Sequence, residues 1–182
     1  MATGKAEGHI DTRNSNPTFV VFEEKARLLE DAEAATSAAS GMGVISSTLF
    51  ALLESGDRVV SVKDTYGGTS AIFNACMPKC RIDTVQCDPA DHDQIESEIT
   101  MGCNLPYLEI PANPTTRIID IARPSKVAHA HGALVVVDST IATPINRNPL
   151  LLGSDVVVHG ECLHEFTRTT FTSHSFPPAF PR

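Results

Sequence analysis

The chain has 182 residues, a hydrophobic fraction of 42% and a formal net charge of −8. This length and apolar content suit one globular domain, and an acidic chain without a long basic run lacks the electrostatic footprint of a nucleic-acid-binding protein. No stretch approaches the roughly 20 continuous apolar residues of a membrane span, and residues 1–5 lack the apolar core of a signal peptide. We therefore predict a cytoplasmic protein that contacts neither nucleic acid nor membrane.

The first elements follow an irregular, polar segment over residues 1–16. Asn16-Pro17 predicts a helix start, because asparagine caps helices and proline suits the first helical position. The apolar positions that recur at helical spacing, and that should face the core, are Phe19, Phe22, Ala26 and Leu29. A strand or turn of small residues is expected over 35–40, and Gly41 begins a second helix that ends near Gly56.

Strand-like and helix-like segments then alternate along the chain. The expected strands are 58–62, 81–86, 105–110, 134–138 and 155–159, and the expected helices are 69–77, a short one capped by Asp91, and 121–130. Such alternation predicts an α/β fold with a mostly parallel sheet flanked by helices. After residue 160 the sequence is rich in Thr, Ser, His, Phe and Pro without either periodicity, so we predict a disordered or loosely packed tail.

Ligands of open parallel sheets bind beyond the carboxyl ends of the strands. Asp138 ends a valine-rich strand at this edge. A buried carboxylate needs a partner, and a protonated ring nitrogen would be one. A role as a helix cap or in a salt bridge would also explain this aspartate. Gly41-Met42-Gly43 at a helix start could bind phosphate, and Tyr66 on a glycine-rich turn could stack on a planar ligand. A dinucleotide site is disfavoured because the third glycine of its fingerprint is missing.

The five cysteines are scattered and odd in number, which argues against a disulfide framework. No group of His, Cys, Asp or Glu has a convincing metal-ligand spacing; His159, Cys162 and His164 lie in an irregular tail. We expect buried or half-buried thiols and no metal.

Motifs in order over about residues 8–159 resemble the trans-sulfuration, or Cys/Met metabolism, family of enzymes that use pyridoxal 5′-phosphate (PLP), such as cystathionine gamma-synthase and gamma-lyase, methionine gamma-lyase and O-acylhomoserine sulfhydrylase. The matching stretches are Gly8-His9-Ile10, Arg13, Asn16-Pro17-Thr18, Ser40-Gly41-Met42-Gly43, Asp64-Thr65-Tyr66-Gly67-Gly68-Thr69, Pro111-Ala112-Asn113-Pro114-Thr115, Val135-Val136-Val137-Asp138-Ser139-Thr140, Ala142-Thr143-Pro144 and Asp155-Val156-Val157-Val158-His159.

The resemblance implies a fold-type-I large domain and a role for each matching site residue. Gly41 and Met42 would bind the cofactor phosphate through backbone N–H groups, and Tyr66 would stack on the pyridine ring. Asp138 would pair with the ring nitrogen, which keeps the ring an electron sink, and Asn113 would bind its phenolic oxygen. In this family active sites are shared across a dimer, so Arg13 would reach the phosphate of a neighbouring subunit. Glu109 falls at a usually acidic position, without an assigned step.

The sequence departs from the family in four places. Asp11 replaces a tyrosine, and the Ser-x-Thr-Lys pattern expected after His159 is replaced by Gly160, Cys162 and Leu163. Leucine has no nitrogen to form the Schiff base or move protons, and no lysine follows Asp138.

We therefore predict a PLP-dependent trans-sulfuration enzyme by ancestry, acting in the family on sulfur amino acids or activated homoserine by beta or gamma elimination or replacement. The chain as written is predicted to be inactive and to bind PLP weakly and non-covalently. Its expected organisation is an irregular segment 1–16, a partial PLP-binding large domain 17–159 and a divergent tail 160–182. The alternatives are a non-catalytic PLP-binding or dimerisation fragment, and a frameshifted or mis-spliced product. The family forms homo-oligomers, and the sequence does not name the substrate.

Overall fold

The structure is a computed structural model that describes residues 16–160 and the backbone of residues 169–173. Its helices are α1 Pro17–Glu30, α2 Gly41–Leu52, α3 Gly67–Ala71, α4 His92–Thr100, α5 Ala122–Ala130 and α6 Thr143–Asn146. Its strands are β1 Ala34–Ala38, β2 Arg58–Val62, β3 Asp83–Cys87, β4 Leu105–Glu109, β5 Val136–Asp138, β6 Val156–Gly160 and β7 Thr169–Ser173. Within the described residues, no helix combines the length and the hydropathy needed to cross a membrane.

The strands form one sheet of seven in the order β1-β7-β6-β5-β4-β2-β3. The consecutive neighbours from β6 to β3 are all parallel, whereas β7 runs antiparallel to both β6 and β1. Helices cover the parallel part, since a parallel connection requires a crossover. This arrangement confirms the predicted α/β fold with a mostly parallel sheet.

The sheet separates two apolar layers, because successive strand residues point to opposite faces. Tyr107 and Val136 belong to the layer that packs against α2 and the α3 region, together with Val44, Leu49 and Phe73. Leu108, Ile110 and Val137 belong to the layer that packs against α4 and α5, together with Ile95, Ile99 and Ala128. The face of the sheet to which a side chain belongs can therefore be read from its position along the strand.

Helix α1 begins as predicted, but at its C-terminal end the buried residue is not the predicted one. The Asn16 side chain accepts a hydrogen bond from the backbone N–H of Thr18 at 2.8 Å, and Pro17 is the first helical residue. Leu29, predicted to face the core, is 52% exposed, so that prediction is wrong. Glu30 is fully buried instead, because its carboxyl Oε1 lies 2.5 Å from Nε2 of the buried His159.

The helix predicted over 69–77 is longer and less regular than expected. Helix α3 begins at Gly67, widens into a π-helical turn over Ile72–Cys76 and tightens into a 3₁₀ turn over Met77–Cys80. Pro78 is in that last turn, where its missing N–H costs no helical hydrogen bond. The segment delivers the buried Phe73 and Met77 to the core.

The segment 160–182 contains a strand that its sequence pattern does not predict. The backbone over 169–173 pairs with β6 from Val156↔Ser173 to Gly160↔Thr169 and with β1 from Ala34↔Ser173 to Ala38↔Thr169. These five residues form a strand where a disordered or loosely packed tail was predicted; residues 161–168 and 174–182 lie outside the described part. Strand β7 thus covers the edge of β6, and the edges of the described sheet are β1 and β3. The division into 1–16, 17–159 and 160–182 stays a prediction.

Candidate active site at the carboxyl edge of the sheet

Polar side chains gather where the parallel strands end. Glu109 is the last residue of β4 and Asp138 the last residue of β5, and the two are paired in register. Tyr66 follows β2 after a short loop, and its backbone N–H donates to Oε2 of Glu109 at 2.8 Å. Both carboxyls lie on the α2 side, because they follow Tyr107 and Val136 at even spacing. The structure thus brings together the ends of β2, β4 and β5.

Asp138 is 4% exposed, and its two carboxyl oxygens have separate partners. Oδ1 accepts hydrogen bonds from the backbone N–H of Thr140 at 3.0 Å and from its hydroxyl at 2.6 Å. Oδ2 accepts one from the Tyr107 hydroxyl at 3.2 Å. Burial raises the pKa of Asp138, whereas the bonds from Thr140 and Tyr107 oppose that rise. The carboxyl is held in a fixed orientation by neutral donors.

Glu109 is also 4% exposed, and its environment favours the protonated carboxyl. Burial first, and the charge of Asp138 second, raise the pKa of Glu109 to about 8, although the Tyr66 N–H bond opposes them. Within the described residues, no lysine or arginine forms an ion pair with Glu109 or Asp138. At neutral pH Glu109 is therefore largely neutral, and the buried Asp138 beside it has no lysine or arginine partner among the described residues.

The first turn of α2 supplies backbone donors. The N-cap residue Ser40 accepts the N–H of Gly43 at 3.0 Å through its hydroxyl. Gly41 and Met42 belong to the same turn, whose N–H groups have no acceptor within the helix. The helix dipole makes this end favourable for an anion.

The side chains of Met42, in this turn, and of Tyr66 meet beside Gly68. A Cβ atom placed on Gly68 would lie 2.7 Å from Cε1 of Tyr66 and against the sulfur of Met42. Real Cβ atoms essentially never lie closer than 3.0 Å to another heavy atom. The Tyr66 ring, 46% exposed, and the Met42 side chain are therefore neighbours over a backbone that only glycine permits.

Asn113 lies at the same edge without a recorded contact to these residues. It is half-buried, in a turn with cis peptide bonds at Ile110-Pro111 and Asn113-Pro114. The turn is tied to the segment after β2 by the Thr115 hydroxyl, which donates to Oδ2 of Asp64 at 2.7 Å. Among the described residues the side-chain amide of Asn113 has no hydrogen-bond partner, so the role predicted for Asn113 stays a prediction. Arg13, Asp11, Cys162 and Leu163 lie outside the described part.

The sequence pattern gave no role to Tyr107, Thr140 or Glu30. Tyr107 is fully buried, and its ring packs edge-to-face on Phe73 with centroids 5.3 Å apart, which positions the hydroxyl. Its place two residues before Glu109 was an available signal, since both side chains must share a face. Thr140 also contacts the next strand, because its hydroxyl oxygen accepts a hydrogen bond from the backbone N–H of Gly160 at 2.7 Å.

The described residues include no group of three or more His, Cys, Asp or Glu side chains that could hold a metal ion. The four described cysteines are free thiols, and burial raises the pKa of Cys87 to about 11 and raises that of Cys103. Cys87 and Cys103 are therefore poor nucleophiles at neutral pH.

Comparisons with known proteins agree with the fold and give the family. The family described as Cys/Met metabolism PLP-dependent enzyme matches residues 1–162. L-methionine gamma-lyase of Fusobacterium nucleatum subsp. polymorphum is 43% identical over 153 residues, which are 84% of this chain and 39% of that protein. O-succinylhomoserine sulfhydrylase of Mycobacterium tuberculosis is 37% identical over 161 residues, 88% of this chain and 40% of that protein.

The solved structures give the same result. The crystal structure of metB from Corynebacterium glutamicum superposes with a TM-score of 0.88 at 27% identity, over 93% of this chain and 45% of that one. The fold and the edge site define a PLP-enzyme large domain of fold type I. The chain belongs to the Cys/Met metabolism family of PLP-dependent enzymes. It spans about two fifths of the length of the curated relatives that it matches.

The residues present fit the family's cofactor. The ring nitrogen of PLP is a cation when protonated, and Asp138 is a buried anion without a lysine or arginine partner in the described part. Met42 and Tyr66 meet over Gly68, and the first turn of α2 offers N–H groups for a phosphate. Two buried hydroxyls beside Tyr66 and Asp138 in the chain, Thr65 Oγ1 and Ser139 Oγ, also lack partners among the described residues.

Proposed function

We propose that this chain binds PLP non-covalently at the carboxyl edge of its sheet and does not turn over amino acids as written. The observation that supports this most directly is the buried Asp138 carboxylate, fixed by Thr140 and Tyr107 and left without a lysine or arginine among the described residues. An ionised carboxylate is costly to bury unless a cation or donors compensate it. A protonated pyridine ring would supply that compensation.

In this proposal each matching residue binds one part of the cofactor. Asp138 binds the ring nitrogen, the Tyr66 ring covers one face, and the first-turn N–H groups of Gly41 and Met42 bind the phosphate. Asn113 binds the phenolic oxygen, and Arg13 binds the phosphate of a neighbouring subunit. When bound, PLP supplies an electron sink for carbanions formed next to an amine.

Glu109 would act by remaining neutral. Its raised pKa, about 8, leaves the carboxyl protonated at neutral pH, so it adds no second anion beside Asp138. Its Oε2 fixes the backbone of Tyr66, which positions the aromatic ring. Thr140 orients Asp138 and also binds Gly160, so the orientation of the carboxylate is coupled to the end of β6.

The proposed lack of turnover rests on Leu163. The family pattern places a lysine at that position, and a leucine side chain can neither hold the cofactor covalently nor transfer a proton. The family match ends at Cys162, one residue earlier, which supports a departure at this point. The substrate class inherited from the relatives is sulfur amino acids or acylated homoserine, and we propose a cytoplasmic location.

Titration with PLP tests the binding. We expect a saturable rise in thermal unfolding temperature, reduced about tenfold or more in affinity by Asp138→Asn because a charge-assisted bond is lost. The matched control is Asp93→Asn, which removes the same charge from a side chain that is 91% exposed. Equal PLP affinity in the native chain and in Asp138→Asn would contradict the proposed orientation.

Borohydride reduction followed by peptide mass mapping tests the covalent step. The native chain should carry no stoichiometric phosphopyridoxyl group at one site, whereas Leu163→Lys should acquire one at residue 163. Two results together would overturn the proposal. The native chain would release an alpha-keto acid from methionine or cystathionine, and one of its lysines would carry the phosphopyridoxyl group.

Non-catalytic assembly is the alternative function. In this case the chain pairs with a longer relative and contributes Arg13 to its phosphate site. Co-expression with a tagged full-length relative, followed by analytical ultracentrifugation, distinguishes it: a defined heterodimer lost in Arg13→Ala supports pairing, and separate species exclude it.

A further inference from the structure

A cavity lies between the turn that follows β4 and the segment that leads into and out of α6. It has a volume of about 290 Å³, and its wall includes Ile110, Pro111, Ile118, Ile141, Asn146 and Arg147. Ile110 belongs to the apolar layer under α4 and α5, whereas Tyr107, whose face Glu109 and Asp138 share, belongs to the layer under α2. None of the residues that line the cavity is one that the proposed cofactor site uses.

The cavity combines an apolar wall with one unpaired cation. Ile118 and Ile141 are 61% and 41% exposed, so their aliphatic surface is available to a ligand. Arg147 Nε is buried and has no hydrogen-bond partner, and no described carboxylate forms an ion pair with this arginine. A buried donor of a charged group without an acceptor is unfavourable. Nε itself has almost no accessible surface, so the donors that a ligand in the cavity can reach are the terminal Nη1 and Nη2 groups, which are not among the buried unpaired atoms.

We propose that this cavity binds a small aliphatic carboxylate. The carboxylate accepts from the Arg147 guanidinium, whose planar donors match two oxygens, and the aliphatic part packs on the isoleucines. The volume suits a ligand at the small end of the usual range for binding pockets. The Asn146 amide at the wall offers a further donor. The binding is independent of PLP and adds a second ligand site to the large domain.

Isovalerate is a suitable probe because it is a branched carboxylate of the right size. Ligand-observed NMR or calorimetry on the full chain should show saturable binding of isovalerate and none of isovaleramide, which lacks the charge. Arg147→Met, which keeps an apolar stem but removes the guanidinium, should weaken binding about tenfold or more. Asp138→Asn should leave isovalerate affinity unchanged, and PLP should not displace the probe.

Two further measurements separate the proposal from misfolding and from the cofactor site. Ile118→Asp places a negative charge on a largely exposed side chain, so the fold should persist by circular dichroism while isovalerate binding is lost. No saturable binding to the native chain would overturn the proposal. Equal binding of the amide, unchanged affinity in Arg147→Met, or displacement of isovalerate by PLP would also overturn it.

Discussion

Glu109 and Asp138 are paired across two neighbouring parallel strands, so two acidic side chains share one buried face. They differ in their partners. Asp138 accepts hydrogen bonds from Thr140 and Tyr107, whereas Glu109 accepts one from a backbone N–H. The charge of Asp138 contributes to the raised pKa of Glu109. The pair is therefore asymmetric, because Glu109 keeps its proton to a higher pH than an ordinary carboxyl does.

This asymmetry makes stability depend on pH. The folded-state pKa of Glu109, about 8, is above the ordinary value of 4.5, so the folded protein binds more protons between these values. The free energy of unfolding should therefore fall as pH rises from about 5 to 8, by up to about 1.4 kcal/mol per pH unit. Urea unfolding of the native chain and of Glu109→Gln checks this. The variant should have a flatter profile, and an unchanged slope would contradict the assignment.

Asp138→Asn should change stability and cofactor binding in opposite directions. Without ligand, the variant removes a buried charge, so its unfolding temperature at neutral pH should equal or exceed that of the native chain. With saturating PLP, the native chain should gain more stability, because its carboxylate pairs with the ring. Thermal unfolding at matched PLP concentrations measures both. A large loss of stability in the ligand-free variant would show that the carboxylate is mainly structural.

Adjacent glycines provide a matched test of the space beside Tyr66. Gly68→Ala forces its new methyl group against Tyr66 and Met42, whereas a Cβ on Gly67 meets nothing within 4 Å. Overpacking of this kind typically costs about 1–3 kcal/mol. We expect Gly68→Ala to weaken PLP binding while Gly67→Ala leaves it unchanged, as measured by fluorescence titration. Similar affinities in the two variants would exclude a cofactor position over Gly68.

The buried contact between Glu30 and His159 should be strongly coupled. Glu30 Oε1 lies 2.5 Å from Nε2 of His159, and the Asn148 amide donates to the Glu30 carbonyl at 2.6 Å. Removing one partner of a buried hydrogen bond, so that the other is left unsatisfied, typically costs about 1–3 kcal/mol. Glu30→Gln, His159→Gln and the double variant should form a cycle in which the double variant is less destabilised than the sum.

A surface pair provides the control for that cycle. Glu24 and Arg27 form a salt bridge at 2.7 Å, with side chains 53% and 32% exposed. Their cycle should give a smaller coupling than the buried pair, because solvent screens an ion pair between exposed side chains. Urea unfolding of both sets measures the difference, and equal couplings would show that burial of the Glu30–His159 pair contributes nothing.

Local signals in the sequence predicted most of the parallel sheet. Asn16 and Asp91 cap their helices as expected; Asp91 accepts the N–H of Gln94 at 2.9 Å. The valine-rich segments form central strands, because short apolar β-branched runs fit strands buried on both faces. The register of Glu109 with Asp138 follows from the pairing of those strands.

The features that escaped prediction depend on distant partners. The burial of Glu30 requires His159, which is 129 residues away in the chain. Strand β7 has no strong local pattern, and its extended backbone is stabilised by hydrogen bonds with β6 and β1. The side chains that fix Asp138 could be anticipated only once β4 and β5 were known to be neighbours.

The position of β7 between β6 and β1 has a consequence for folding during synthesis. Strand β1 emerges from the ribosome early, but its only sheet partner among the described strands, β7, follows the whole parallel part of the sheet in the chain. Until then the parallel strands can assemble among themselves, while β1 keeps open hydrogen-bonding groups that a chaperone or another nascent chain could bind. Completion of this sheet is therefore a late event, delayed by the long interval between its first and last strands.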